Sequence, residues 1–285
     1  MNDVPEKVDA EVIARAKRAL RDEGWCVIPG VLAPDRAAGL RADLWRAVEE
    51  RERCGLPTRG LPTDPNEHNV RVLNLPEHGQ AFVDLVEHPL ALDMATALLG
   101  GEFLISNATA NIALPGALSM TLHADQAIVV PEPWLDPWSV NVIWCFDDVR
   151  EANGATRYVP GSHKVRWRSE LPVDALGLTR AFEAEAGSMI VMDGRLWHTS
   201  GANVTENEER AMVFCYYSVG FVRPQVNWNA ALPPGLQDSF PPRLRRLFGL
   251  DTSGNHKRGA HLMLRRPTMH ERRAWKVRQE LVADK

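Results

Sequence analysis

Apolar and polar positions alternate along this chain with two different periods, and the switches between them divide it into elements. Val8, Val12, Ile13, Ala16, Ala19 and Leu20 recur at helical spacing among charged residues. That predicts an amphipathic helix over Val8 to Asp22, with Gly24 as its C-terminal stop. A short strand, Trp25 to Ile28, closes at Pro29-Gly30. A second helix opens at Ala33, with Pro34 suited to its first turn and Leu40, Leu44 and Val48 as its stripe. The stretch from Arg53 to Asn69 turns to Gly, Pro, Thr, Asp and Asn and reads as a long loop able to cover a site. Leu75 to Leu99 is helical again, interrupted at His88-Pro89 and ended by Gly100-Gly101.

Beyond this point the pattern changes to short apolar runs punctuated by turns. Strands are expected over Phe103 to Ala113, Ala117 to Val130, Val140 to Phe146, Arg157 to Val159, Ser188 to Met192 and Ala211 to Val222. Many short strands with Gly and Pro between them predict a mainly β fold with flanking helices, a double-stranded β-helix or jelly-roll barrel of the cupin type. After Val222 the chain becomes Pro-rich and then basic, with a short helix at Leu244 to Phe248 and a longer one at Thr268 to Val282. The expected organisation is one domain over 1–285: helices and first strands in 1–101, the barrel core in 102–223, and a helical extension in 224–285. That extension is equally readable as packed on the domain or as a homodimer contact.

Composition narrows the function classes. The chain has 285 residues, 45% hydrophobic and 25% charged, with a net charge of -4 and a pI near 6.2, which provides no basic field for nucleic acid or anionic lipid. The N-terminus is charged where a signal peptide needs an apolar stretch, and no run is long and apolar enough to suggest a membrane span, so a cytoplasmic protein without a membrane partner is expected. Cys26, Cys54, Cys145 and Cys215 lie far apart without a CxxC pair and are expected to be reduced.

Candidate chemistry centres on TLHADQ, Thr121 to Gln126. If this segment is a strand, His123 and Asp125 point to the same side and can grip one ion, given a further ligand. His198, in the segment after Ser188 to Met192, is the candidate. Two imidazoles and a carboxylate on one face of a metal leave the opposite face open, a set suited to Fe(II) and O2 chemistry. Arg210 opens the next apolar run. Its planar fork of donors matches a carboxylate, and the order HxD, His, Arg implies 2-oxoglutarate as co-substrate. Arg210 could instead be a solvated charge beside Glu206, Glu208 and Glu209. His123 and Asp125 taken alone could be an ordinary surface pair.

Together with GWCVIPGVLAPDRAAGL, HPLALDMATALLG and VIWCFDDVREANGATRYVPGSHK, these residues resemble the phytanoyl-CoA dioxygenase family of Fe(II)/2-oxoglutarate-dependent oxygenases, from about Gly24 to about Arg223. The resemblance implies Fe(II) held by His123, Asp125 and His198, 2-oxoglutarate held by Arg210 with a hydroxyl from Thr156, and O2 as oxidant. It also implies hydroxylation rather than halogenation, because Asp125 stands where halogenating relatives carry a small residue. Many relatives place a Gln three residues before the first metal histidine; this chain has Met120, and Asn111 or Gln126 is the expected replacement. Gln126, Asn111, Trp134 and Trp144 are the candidate substrate contacts. With Trp138 and Trp197, the tryptophans suggest a moderately large, largely apolar small molecule. His163 reads as part of a turn at the barrel rim. Lys164, Arg166 and Arg168 read as a solvated face sooner than as a site for an anionic substrate tail. Desaturation, epoxidation or cyclisation would use the same residues. A non-catalytic ligand-binding barrel and a zinc hydrolase are the rivals from other classes, the second without a recognisable HExxH base.

Overall fold

In the computed structural model, which describes residues 8–251, the apolar runs of the middle of the chain become two facing antiparallel sheets. The larger has six strands. These are β1 (Trp25–Ile28), β2 (Asn69–Val72), β3 (Phe103–Ala113), β4 (Ser139–Cys145), β7 (Met189–Asp193) and β9 (Arg210–Val219), in the order β1-β7-β4-β9-β3-β2. The smaller sheet holds β5 (Thr156–Tyr158), β6 (Arg180–Ala181) and β8 (His198–Ser200), in the order β6-β5-β8. This is the expected jelly roll. Its two sheets do not merge into one closed ring of hydrogen-bonded strands; isolated pairs such as His123 with His198 and Asn153 with Asn203 involve residues outside the strands.

Four helices cover the outer face of the large sheet: α1 (Ala10–Glu23), α2 (Pro34–Arg53), α3 (Gln80–Val86) and α4 (Pro89–Leu99). Local signals set their ends. The Asp9 carboxylate accepts from the Glu11 amide at 2.7 Å and caps α1, which stops at Gly24 with φ of 82°. Any side chain at Gly24 would also collide with His163, whose ring lies 2.5 Å from where a Cβ would sit. The His88 ring caps α4 by accepting from the Leu90 amide, and Pro89 fills the first helical position, which explains the expected interruption.

Alternation decides which strand residues meet these helices. Along β4, Val140, Val142 and Trp144 join Leu20, Leu40, Leu44, Val48, Val83 and Met94 in the main core. The intervening Ile143 and Cys145 face the other way, into a second core between the sheets with Ile190, Met192, Met212, Tyr158 and Phe182. With both faces covered, every residue of β4 is buried.

One expected strand is absent. The segment from Ala117 to Val130 is an irregular run with a single bridge at His123 and a 3-10 turn over Asp125–Ile128. It pairs with a strand only through a single bridge, where Met120 to His123 meet the three-residue β8. Its backbone is instead satisfied piecemeal, by the Ser200 and Thr199 hydroxyls at Met120, by His198 at His123, and by the Gly194 carbonyl at Gln126. Leu118, Ile128 and Val130 remain exposed, so its apolar period had no sheet face to serve. Downstream, α5 (Trp228–Ala231), α6 (Pro234–Ser239) and α7 (Pro242–Leu247) follow β9, and α7 matches the short helix expected there. The helix expected over Thr268 to Val282 and a dimer contact made through it lie outside the described residues.

Candidate metal centre

His123, Asp125 and His198 converge as expected, by a different route. His198 opens β8 in the small sheet. His123 lies on the irregular segment and exchanges two backbone hydrogen bonds with it, at 2.9 and 2.7 Å. Asp125 begins the 3-10 turn that follows. The pair is therefore brought together by a bridge and a turn, not by two-residue spacing along a strand. One ligand atom from each residue lies within 4.8 Å of the others, and no further His, Cys, Asp or Glu joins this cluster among the described residues.

Each ligand is already oriented. The Nδ1 of His123 lies 2.9 Å from the Thr121 carbonyl, and that of His198 lies 2.9 Å from the Leu196 carbonyl. A carbonyl can only accept, so both Nδ1 atoms carry the proton and both Nε2 lone pairs are free for a metal. Burial, opposed by Asp125, holds the His198 pKa below the ordinary histidine value and favours the neutral, ligating form. Asp125 Oδ1 stands 3.9 Å from His123 Nε2 and 3.8 Å from His198 Nε2. Its Oδ2 accepts from Asn141, and its backbone carbonyl accepts from the Tyr216 hydroxyl at 3.0 Å. Burial and the nearby Asp125 charge both raise the Tyr216 pKa, so this phenol keeps its proton and donates. The donor set of two imidazoles and one carboxylate oxygen fits a divalent iron.

Arg210, the first residue of β9, turns inward and is 1% exposed. Its guanidinium donates to the Gly154 carbonyl at 2.9 and 3.2 Å and to the Asn111 carbonyl at 3.3 Å. No carboxylate lies within ion-pairing distance of it among the described residues, and the glutamates of the ENEER run do not engage it. Burial lowers its pKa to about 10, with Arg71 adding to the shift, so it remains a cation at neutral pH. A buried cation without an anion is half of an ion pair, and a ligand carboxylate supplies the other half. The Asn111 amide nitrogen, buried and without a partner, lies on the same inward face.

Other expected site residues are distributed unevenly. Thr156 is buried opposite Ser200, on the face of the small sheet that also carries His198. Gln126 is fully buried: its amide nitrogen donates to the Asp136 carbonyl and its oxygen accepts from the Trp138 amide, so both ends of the side chain brace the loop. Trp134 is buried too, its ring nitrogen on the Val129 carbonyl and its ring stacked on Trp197 at 6.3 Å. Trp144 does not wall the site, because alternation along β4 directs it outward, edge-on to His88 at 5.0 Å. Arg168, of the basic cluster, is paired with Glu132 and lies over Trp197. A cavity of about 690 Å³ opens elsewhere, lined by Leu92, Phe103, Phe221, Arg223 and Leu244, and shares no residue with the metal cluster.

Three inward residues escaped the sequence reading: Arg71, Asn141 and Tyr216. Arg71 lies on β2 opposite Asn111. Asp64 grips it with both oxygens, and it reaches the Met120 sulfur at 3.7 Å, so a second guanidinium stands at the position left doubtful by Met120. The available signal was polar residues alternating with valine, in NVRV and in SVNV.

This arrangement agrees with what the chain resembles. Residues 20–212 match the family model described as phytanoyl-CoA dioxygenase. The chain belongs to the phytanoyl-CoA dioxygenase family. It is 48% identical over 239 residues to the dioxygenase af480 of Aspergillus fumigatus, covering 84% of this chain and 77% of that protein. It is 25% identical over 252 residues to the dioxygenase trt7 of Aspergillus terreus, covering 85% and 86%. Among solved structures, the 2-oxoglutarate-dependent carbocyclase SnoK of nogalamycin biosynthesis superimposes with a TM-score of 0.62 at 22% identity, covering 82% of this chain and 95% of that one. HygX of Streptomyces hygroscopicus, solved with nickel and 2-oxoglutarate, gives a TM-score of 0.59 at 18% identity, with coverages of 74% and 88%. These two structures share the fold. By family membership and ligand set, the protein is a non-haem Fe(II)/2-oxoglutarate-dependent dioxygenase.

Proposed function

We propose that this member of the family hydroxylates an unactivated C–H bond of a small molecule of secondary metabolism, with 2-oxoglutarate leaving as succinate and CO2. The observation that carries the proposal is the three-atom cluster of His123, Asp125 and His198 in a fold whose inward face also holds Arg210 without an anion. Fe(II), when bound there, supplies the activation of O2 coupled to oxidative decarboxylation of the keto acid.

The residues divide the remaining work. Both histidines offer Nε2 and Asp125 offers Oδ1, which leaves the opposite side of the ion to co-substrate and oxygen. Arg210 receives the distal carboxylate in a water-poor environment, where the charge-assisted bond is strong. Asn111, whose buried amide nitrogen has no partner, and Thr156 are the further donors we assign to the same ligand, while Arg71 is already paired with Asp64. Asn107 and Thr109 on β3 and Phe214 on β9 are partly exposed, while Trp138 packs edge-on to Phe221 at 5.4 Å. A largely apolar molecule carrying some oxygen functions matches such a mixed surface. No described helix is long and apolar enough to cross a membrane.

The test is to load the protein anaerobically with Fe(II), then add 2-oxoglutarate, O2 and a metabolite panel, and measure succinate. Absence of succinate, coupled or uncoupled, together with no response of the metal site to 2-oxoglutarate, overturns the reading. Cyclisation is the second reading, favoured by the likeness to the carbocyclase SnoK. Product mass separates the two, since hydroxylation adds an oxygen atom and ring closure by loss of two hydrogens does not.

A further inference from the structure

Asn141 is an amide in the middle of a strand otherwise composed of Ser139, valines, isoleucine, tryptophan and cysteine, and it is 7% exposed. Its Nδ2 donates to Asp125 Oδ2 at 2.9 Å. A carboxylate can only accept, so the amide must present its nitrogen there. Its Oδ1 has no partner within the protein, and the chain keeps this amide although one of its two polar ends stays unsatisfied.

The three ligands are not oriented alike. Each histidine is held by a carbonyl of its own chain two residues back, so its orientation is local. The Asp125 carboxylate is held from the large sheet. Asn141 lies in β4, paired to β7 through Met192 and to β9 through Tyr216, and that same Tyr216 fixes the Asp125 backbone. A strand bonded on both sides is a rigid support, and Asn141 applies it to one carboxylate oxygen.

We infer that Asn141 is the positioning residue that makes Asp125 a one-oxygen ligand. A free carboxylate can bind a metal through either oxygen or both. With Oδ2 engaged by the amide, Oδ1 alone faces the two Nε2 atoms. The side of the ion opposite the ligands then stays open for a chelating keto acid and for oxygen. This rests on the reading of the cluster as a metal site for 2-oxoglutarate chemistry.

The experiment titrates the full chain with Co(II), follows the visible absorption that reports coordination number, and then adds 2-oxoglutarate. Two variants are compared with the unaltered protein: Asn141→Leu, which keeps the volume and removes the donor, and Asn141→Ser, which stays polar and is too short to reach Oδ2. Both are expected to bind Co(II) about ten- to a hundredfold more weakly, the usual size of such an outer-shell loss. Both should also show an altered Co(II) spectrum and weakened 2-oxoglutarate binding, while the metal-free melting temperature stays near that of the unaltered protein. Unchanged Co(II) affinity and spectrum in either variant overturns the inference. So does a fall in affinity that only tracks a fall in metal-free stability, because packing alone would produce that. If the unaltered protein binds Co(II) without any response to 2-oxoglutarate, the functional reading fails, and the inference fails with it.

Discussion

The two sheets of this protein are built on opposite terms. In the large sheet, β3, β4 and β9 run for 7 to 11 residues, bond to each other through their backbones, and pack against four helices over a continuous apolar core. In the small sheet the strands have two or three residues, and the neighbouring segment from Ala117 to Trp138 is tied down by the side chains of Ser200, Thr199 and Gln126. All three candidate metal ligands lie on the irregular side. Asn141 and Tyr216, which hold Asp125, lie on the regular one, as does Arg210. Irregular chain lets ligand atoms from remote segments approach one another, and a rigid sheet opposite them fixes the geometry.

That division predicts that stability and metal chemistry respond to different substitutions. The largest effect is expected at the ligands: His198→Ala or Asp125→Ala should abolish Fe(II) binding and succinate formation while leaving the metal-free melting temperature close to its original value. Metal analysis with calorimetry checks this, and a large stability loss would contradict the division. Next, Trp144→Ala should remove about 3–5 kcal/mol of stability by leaving a cavity in the helix-facing core. Its metal affinity should be unchanged once folded, as denaturant unfolding and metal titration would show. Third, Arg210→Ala should raise the 2-oxoglutarate requirement, by about 2–5 kcal/mol of lost binding, without reducing metal affinity. Titration calorimetry at fixed metal measures the two separately.

Gln126→Ala is a smaller change that sharpens the boundary. It leaves the Trp138 amide and the Asp136 carbonyl without their partner, at about 1–3 kcal/mol, and loosens the turn that carries Asp125. A modest loss in both stability and metal affinity is expected, unlike either class above. The mildest effect is that of pH. Burial holds the pKa values of His88 and His163 below 6.5, so the unfolded chain binds protons that the folded one refuses. Metal-free stability should be level on this account above about pH 6.5 and decline as pH falls below it. Chemical denaturation at stepped pH would detect the slope.

Legibility followed the same boundary. The strand expected over Phe103 to Ala113 is β3 itself, and β1, β4, β7 and β9 lie within a few residues of expectation, because two-residue alternation is imposed by a core on one face, whereas the four-residue edge strand β2 was not anticipated. The run from Ala117 to Val130 carries strand-forming residues too, yet only the three-residue β8 pairs with it, at one bridge. Trp144 and Trp134 were assigned to the pocket by nearness in sequence, whereas the face of β4 and a satellite core claim them. Asn141 and Arg71 are polar residues between valines whose partners, Asp125 and Asp64, lie in irregular segments that only the fold brings to them.

Residue type and order alone pointed to the candidate ligand set of His123, Asp125 and His198, to Arg210 as a candidate carboxylate partner, and to the jelly roll, since each rests on local chemistry or on a period the chain carries within itself. Only the tertiary structure decided that a bridge and a turn bring His123 and Asp125 to His198. It also decided that Gln126 braces the loop and that an amide on the opposite sheet holds the Asp125 carboxylate. Those are contacts between segments distant along the chain, and no local pattern encodes which of them will meet.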